Sequence, residues 1–432
     1  MTKLNEITAT EAARRIAARE ITSEALVADC LARIAEREPA VQAWAYLDPA
    51  LALAQARERD AATAKGSLGP LHGVPVAIKD IFFTADMPTG MGSPIHTGNR
   101  TLSDASAVGL LRAAGAVIMG KTVTTEFAAS HPNQTRNPHN PAHTPGGSSS
   151  GTAASVADRM APAGLGTQTA GSVIRPAAFC GVVGWKPSYG VINRTGVMSE
   201  AESLDTIGCM ARSVDDIDLV SSVMAGKPVG NKTLGRPPRI AMARTHLWRE
   251  LQPESVEAVE DMAGRLAAAG AQVTEVTLPD SFARMADAHW RVLSYEFYRA
   301  LAWEWNNHRD KLSEKIRQTL AIGRDHPYEG YLADLAAAAQ ARADYPGVLG
   351  DCDALLVASA AGEAPEGIGY TGDPKFQSLW TFLHAPAITL PTHKGPKGLP
   401  VGTKLIGRFH KDDDLLAVAR WAEAKVGHAW TR

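Results

Sequence analysis

Apolar positions in the first 65 residues recur with helical spacing. Thr8-x-x-Glu11 has the form of a capping box and opens a run to Glu20. Between Thr22 and Glu38, residues Leu26, Val27, Cys30, Leu31 and Ile34 fall on one helical face. Asp48-Pro49 opens a third, Ala-rich helix to Ala64, with proline in a first-turn position. Alanine stripes bury little surface by themselves, so residues 1–65 are expected to be a helical segment packed on a larger core.

The texture changes at Gly66. Short apolar runs (Val74 to Ile78, Ala116 to Met119, Val182 to Val183) alternate with short helices and Gly/Ser/Pro loops to about Gly208. Residues 131–151 hold four prolines and almost no apolar residue, and well-patterned sequence follows at once. A structureless loop of that length inside a compact domain points to function. Beyond it, Arg239 to Ala243, Gln272 to Leu278, Ala354 to Ala358, Ala387 to Leu390 and Val401 to Ile406 read as strands. Glu254 to Ala269 and Asp412 to Lys425 read as helices. No repeat or linker interrupts the series. The pattern predicts an α/β fold: one domain over 66–432 with a mixed, mostly parallel sheet covered by helices on both faces. Its parts are a core over 66–210, a weakly patterned region over 211–375 and closing strands and helix over 376–432.

Composition narrows the partners. With 45% apolar and 21% charged residues among 432, the chain can bury a large core. A formal net charge of −2 argues against nucleic acid or an anionic membrane held by bulk charge, and 6% aromatics are too few for a base-stacking platform. The cysteines (30, 180, 209, 352) are far apart, as free, mostly buried thiols of a reducing compartment would be. The first twenty residues have no apolar core of a secretory signal, and no stretch approaches 18 uncharged apolar residues. A cytoplasmic protein without membrane partners is expected.

Three motifs that suggest chemistry are set aside. Gly115 to Thr122 matches the phosphate-binding loop letter for letter. However, it follows a helix (Ser103 to Ala114) instead of a strand, and Ala116 to Met119 is itself a strand. His139 and His143 stand four apart, but Pro141 between them precludes a shared helix, and no Cys or carboxylate cluster completes a metal site. Gly164-x-Gly166 lacks the third glycine of a dinucleotide fingerprint.

Three other segments stand out together. Val74 to Asp80 runs an apolar strand straight into Lys79, which is either a snorkelling surface lysine or a desolvated amine. Burial would lower its pKa and make it a base. Thr144 to Gly151 is a polar loop carrying Ser148, Ser149 and Ser150 into a helix; it is either a plain cap or a hydroxyl-presenting loop. Gly166 to Pro176 places Ser172 after a small-residue turn whose successive amides can converge on an oxyanion.

Together with GVPVAIKDIF, AGAVIMGKT, TRNPHNPAHTPGGSSSG, GTQTAGSVIRPAAFCGVVGWKPSYG, HAPAITLP and LPVGTKLIG, these segments resemble the amidase signature family over nearly the whole chain. The resemblance implies an amide-bond hydrolase with a Ser–Ser–Lys triad, acting through an acyl-enzyme without metal or cofactor. Ser172 matches the nucleophile. Ser148 matches the bridging serine, whose preceding peptide bond is cis in the family, and Lys79 matches the general base. The backbone amides of Thr169, Ala170, Gly171 and Ser172 match the oxyanion hole. A homodimer is the family's common habit.

The sequence departs from the family at four places. GGSSSGT replaces the usual GGSSGGS, so Ser149 and Ser150 either add hydroxyls around Ser148 or rearrange the loop. GTQTAGS replaces GTDTGGS, which puts Gln168 where a carboxylate is usual. Lys404 replaces a frequent Gln and reads as a surface strand residue. Arg175 stands three residues after Ser172 where the family has Arg two after. In an extended stretch before proline, that shift would turn the side chain to the opposite face. The Ser-Val-Ile-Arg-Pro run resembles malonamidase-type members and implies a small amide bearing a carboxylate, bound by Arg175; the other reading is a structural ion pair.

Other activities of the family are that of the glutamine-hydrolysing component of a tRNA-dependent amidotransferase, which works with partner subunits, and hydrolysis of neutral aryl or alkyl amides, urea-type or urethane substrates. A long-chain lipid amide would need an apolar membrane-facing helix pair, and the N-terminal helices are too charged for that. Trp290, Tyr295, Trp303 and Trp305, in the weakly patterned region, have the helical spacing of core residues.

Overall fold

A computed structural model describes residues 3–63, 66, 68–230 and 232–430. The strands among these are Trp44–Leu47 (β1), Pro75–Lys79 (β2), Val117–Thr122 (β3), Ala163–Gln168 (β4), Val183–Lys186 (β5), Thr206–Ala211 (β6), Arg239–Ala243 (β7), Gln272–Val276 (β8), Ala354–Ala358 (β9), Ala387–Lys394 (β10) and Pro400–Ile406 (β11). They form one sheet in the order β1-β3-β2-β4-β6-β5-β10-β11-β9-β7-β8. Helices cover it, and one continuous apolar core runs from Ala9 to Ala422. β2, β3, β4, β6 and β11 are buried at every position, which is why their side chains are apolar, small or hydrogen-bonded. Gln272–Val276, at the edge, carries exposed polar residues that keep the edge from pairing further.

The α/β sheet is mixed, as expected, but it is not mostly parallel. Parallel pairing is confined to β3-β2-β4 and β9-β7-β8. The other six pairs, including the whole centre from β4 to β9, are antiparallel. An apolar run shows that a strand is buried but does not carry its direction.

The N-terminal helices lie over Ala9–Ala17, Ser23–Val41 and Pro49–Thr63. The expected end of the third at Ala64, and the 65/66 boundary beside it, fall at residues outside those described. The Thr8 side chain accepts from the Glu11 amide at 3.2 Å, giving half of a capping box; the Glu11 carboxylate turns instead to Arg14 at 2.9 Å. Residues 1–65 are not only helical. Trp44–Leu47 pairs antiparallel with β3 and closes one edge of the sheet.

Within the false phosphate loop, Gly115 takes φ +87° after the helix Ser106–Ala113. Lys121 is buried in β3 against Asp80 Oδ1 (3.0 Å), Thr89 Oγ1 (2.7 Å) and Pro88 O (3.0 Å). His139 and His143 each spend a ring nitrogen on a carbonyl, of Cys180 and Ala364 respectively, both at 2.8 Å. Trp305 is core, but Trp290 and Trp303 are exposed and Tyr295 is half-buried, stacked on Tyr331. No helix among the described residues is long and apolar enough to cross a membrane.

Candidate active site

The Lys79 side chain leaves the end of β2 fully buried, and its Nζ lies 2.7 Å from Ser148 Oγ and 2.9 Å from Thr167 Oγ1. Burial drives the amine down to about 7, against the opposing pull of the Glu200 and Asp205 carboxyls. Desolvation disfavours the charged form, so the amine can be neutral at ordinary pH with its lone pair free for Ser148. Of the two readings of Lys79, the geometry agrees with the desolvated amine.

Ser148 follows a cis peptide bond from Gly147. Its carbonyl accepts from the Thr125 amide at 3.2 Å, and the Ser149 amide donates to Ser172 O at 3.2 Å, so the serine loop is seated directly on the Ser172 turn. The two neighbouring serines tie the loop down. Ser150 Oγ donates to Gly146 O at 2.8 Å, and Ser149 Oγ meets the Thr167 backbone at 3.4 Å.

The turn Thr169–Ser172 connects β4 to the helix Ile174–Cys180. All four of its carbonyls are occupied. Thr169 O accepts from His289 Nε2 (2.8 Å), Ala170 O from Thr381 Oγ1 (2.8 Å), Gly171 O from the Arg175 amide (3.0 Å) and Ser172 O from the Ser149 amide (3.2 Å). None of the four amide N–H groups donates to another described residue. Acceptors held back and donors left free are what an oxyanion site needs. Gln168 completes the frame. Its Oε1 accepts from the Val173 and Ile174 amides, both at 3.0 Å, and its Nε2 donates to Thr381 Oγ1 at 3.1 Å. The uncharged amide caps the following helix.

Arg175 lies in a helix, not in an extended stretch. Pro176 sits in that helix's first turn, where its missing N–H and fixed φ are tolerated. The one-residue shift therefore rotates the side chain by about 100° around a helix axis instead of reversing it. The guanidinium is buried, and one terminal nitrogen donates to Gly147 O (2.7 Å) and Thr371 Oγ1 (3.3 Å). Its Nε and other terminal nitrogen have no partner, and among the described residues no carboxylate forms an ion pair with it. Burial lowers it to about 10, against the pull of Tyr370, Asp373 and Glu200.

Lys404 is not a surface residue. β11 lies between β10 and β9, so the side chain is buried, and Nζ donates to Phe376 O at 3.0 Å and to Gln377 Oε1. Thr167, Glu200, Asp205, His289, Thr371 and Thr381 also belong to the site, and none carries a local sequence signal.

The profile of the family described as Amidase matches residues 25–416. The chain is 34% identical to a glutamyl-tRNA(Gln) amidotransferase chain of Roseiflexus castenholzii over 97% of its own length and 95% of that protein's. A solved amidase structure superposes with a TM-score of 0.90 at 30% identity, covering 98% of this chain and 100% of the other. The peptide amidase of Stenotrophomonas maltophilia superposes with a TM-score of 0.84 at 31% identity, covering 98% and 97%.

Proposed function

The chain belongs to the amidase signature family and is a hydrolase of amide C–N bonds; from that premise we propose that it cleaves small carboxamides, those bearing a carboxylate by preference, through Lys79, Ser148 and Ser172. The observation that carries the reading is the 2.7 Å contact of a buried, depressed amine with Ser148 Oγ. Neutral Lys79 takes a proton from Ser148 as Ser148 takes one from Ser172. Ser172 Oγ attacks the amide carbonyl carbon, and the amides of Thr169 to Ser172 receive the oxyanion. The C–N bond breaks, and the proton returns along the relay to the departing nitrogen. Water then gives a proton to the same relay, attacks the acyl carbon and releases the acid and Ser172.

Arg175 supports the anionic preference. A buried guanidinium with two unpaired nitrogens and no carboxylate partner is costly until an anion arrives, and its fork suits a carboxylate. In a panel of malonamate, succinamate, malonamide, propionamide, benzamide, indole-acetamide and allophanate, ammonia release should favour the two half-amides. Arg175→Ala should raise their KM by about 10- to 100-fold, the equivalent of ~1.5–3 kcal/mol for a charged hydrogen bond. It should leave propionamide unchanged. Equal KM values for malonamate in the two proteins would return Arg175 to a structural role.

The Roseiflexus relative favours a second reading, the glutamine-hydrolysing component of an amidotransferase. Glutamine hydrolysis that appears only when partner proteins are added, with no turnover of the panel by the isolated chain, would establish it instead.

Gln168 offers a separate check on the oxyanion turn. Gln168→Leu leaves the Val173 and Ile174 amides buried without an acceptor. kcat should fall by about 10- to 100-fold, from the ~1–3 kcal/mol of an unsatisfied buried group, with KM little changed. Gln168→Glu, which keeps an acceptor, should recover most of the loss. Full activity in Gln168→Leu would mean that the turn does not need its cap.

A further inference from the structure

Lys404 is a fully buried amine with no acid to answer it. Its strand lies inside the sheet, and among the described residues no carboxylate forms an ion pair with it. Burying an amine is costly unless its protons find acceptors. Here they find two on one helix, Lys375–Phe382: Phe376 O at 3.0 Å, and Gln377 Oε1. The Trp380 ring of the same helix stands over the amine, its centroid 5.8 Å away.

Gln377 carries this restraint onward. Its Oε1 accepts from Lys404 and its Nε2 donates to Ser359 O just past the end of β9, so the carboxamide head is held from both sides. Its stem lies against the turn that bears Ser172. Gly171 admits that approach because it has no side chain: a Cβ there would sit 2.7 Å from Gln377 Cγ. One helical turn further on, Thr381 Oγ1 donates to Ala170 O at 2.8 Å. The helix therefore touches two successive residues of the turn, and Lys404 fastens the helix to the sheet. A turn of Thr, Ala, Gly and Ser has no large side chain to anchor it, and glycine is conformationally permissive. Its amides keep their direction only through contacts of this kind.

We propose that Lys404 is a positioning residue for the oxyanion amides, acting through Gln377 on Gly171. This rests on the reading of Thr169–Ser172 as the oxyanion site. The substrate never meets Lys404; the amine fixes the carboxamide, the carboxamide fixes the stem, and the stem fixes the backbone whose N–H groups face the reacting oxygen.

The probe is 1,1,1-trifluoroacetone. Ser172 Oγ adds to its carbonyl carbon, the C=O double bond becomes a single bond, and the serine proton passes to the new hemiketal oxygen or to the relay. Fluorine NMR against pH reads where that oxygen ionises. In the unaltered enzyme it should ionise at lower pH than the ketone's hydrate in water. In Lys404→Met the midpoint should rise by about one pH unit, and kcat for propionamide should fall by about 10-fold with KM little changed, as expected for misaimed donors. Lys186→Met removes another buried amine, one bonded at 2.8 Å to Pro187 O and not to this helix; it should leave both readings in place. An unchanged midpoint and kcat in Lys404→Met overturn the proposal. So does an equal shift in Lys186→Met, because the effect then belongs to the core in general. If Lys404→Met does not fold, Gln377→Met, which keeps the stem and removes the head, decides in the same way. A hemiketal that ionises no lower than the hydrate in the unaltered enzyme sinks the oxyanion assignment and the proposal with it. A stabilised hemiketal that ignores Lys404→Met sinks only the role of Lys404.

Discussion

Ser172→Ala is expected to lower kcat by about 10⁴-fold or more while the melting temperature stays within about a degree of the original. On the proposed mechanism the loss is large because the hydroxyl forms the acyl bond, and no neighbour can substitute for it from the same position over the free amides of the turn. The fold is spared because the structural bond of Ser172 runs through its carbonyl, which accepts from Ser149, and alanine keeps that carbonyl. Ser148→Ala should be less complete, leaving a trace of turnover, since it removes a relay and not the nucleophile. Ammonia release and differential scanning calorimetry on the same preparations check both halves. Retention of more than about one hundredth of kcat in Ser172→Ala would remove it from the role of nucleophile.

Lys79→Met should cost about 10³-fold or more in kcat/KM and at the same time stabilise the protein. Methionine fills nearly the same volume without a charge to desolvate. The sign of the stability effect follows from proton binding. The amine is lowered from 10.5 to about 7 on folding, so between those values the folded chain binds fewer protons than the unfolded one. Stability of the unaltered enzyme therefore rises with pH across that window, and the penalty of burying Lys79 is at full size below it. The melting temperature of Lys79→Met should exceed that of the parent most at about pH 6 and converge on it toward pH 10. A gap that widens with pH would show that the amine is charged when buried. The activity of the unaltered enzyme should rise through the neutral range as the amine loses its proton, opposite in direction to what a required carboxylic acid would give.

Much of the fold was legible where the pattern was strong. β7 and β9 begin and end where the pattern places them. β1, β4 and β6 were invisible for identifiable reasons. Trp44–Leu47 is short and only partly buried, and in β4 and β6 the larger apolar residues (Leu165, Ile207, Met210) are interspersed with Gly and Thr, which suit a crowded interior but break up a long apolar run. The site was legible where reactive residues sit in one local text, as Ser148 and Ser172 do. Its supports were not. His289 and Thr381 reach the turn, and Thr371 reaches Arg175, from over a hundred residues away, and nothing near them in the chain marks them as neighbours. Arg175 was expected in an extended stretch but lies in a helix, because Pro176 sits in that helix's first turn, where a proline is tolerated. Lys404 looked exposed because a lysine in a strand usually is; only the sheet order shows that its strand is interior.

The four occupied carbonyls of the Thr169–Ser172 turn bear on how far this enzyme can be divided. Their donors lie at positions 149, 175, 289 and 381. Lys79, Ser148 and Ser172 would all survive in a chain cut after residue 210, but half of the anchors that aim the amides would be gone. The stretch between 211 and 375 is therefore not a replaceable cassette on a self-sufficient engine. A recombinant that exchanges it for new specificity inherits or loses catalysis according to whether a ring nitrogen returns to the place His289 now holds.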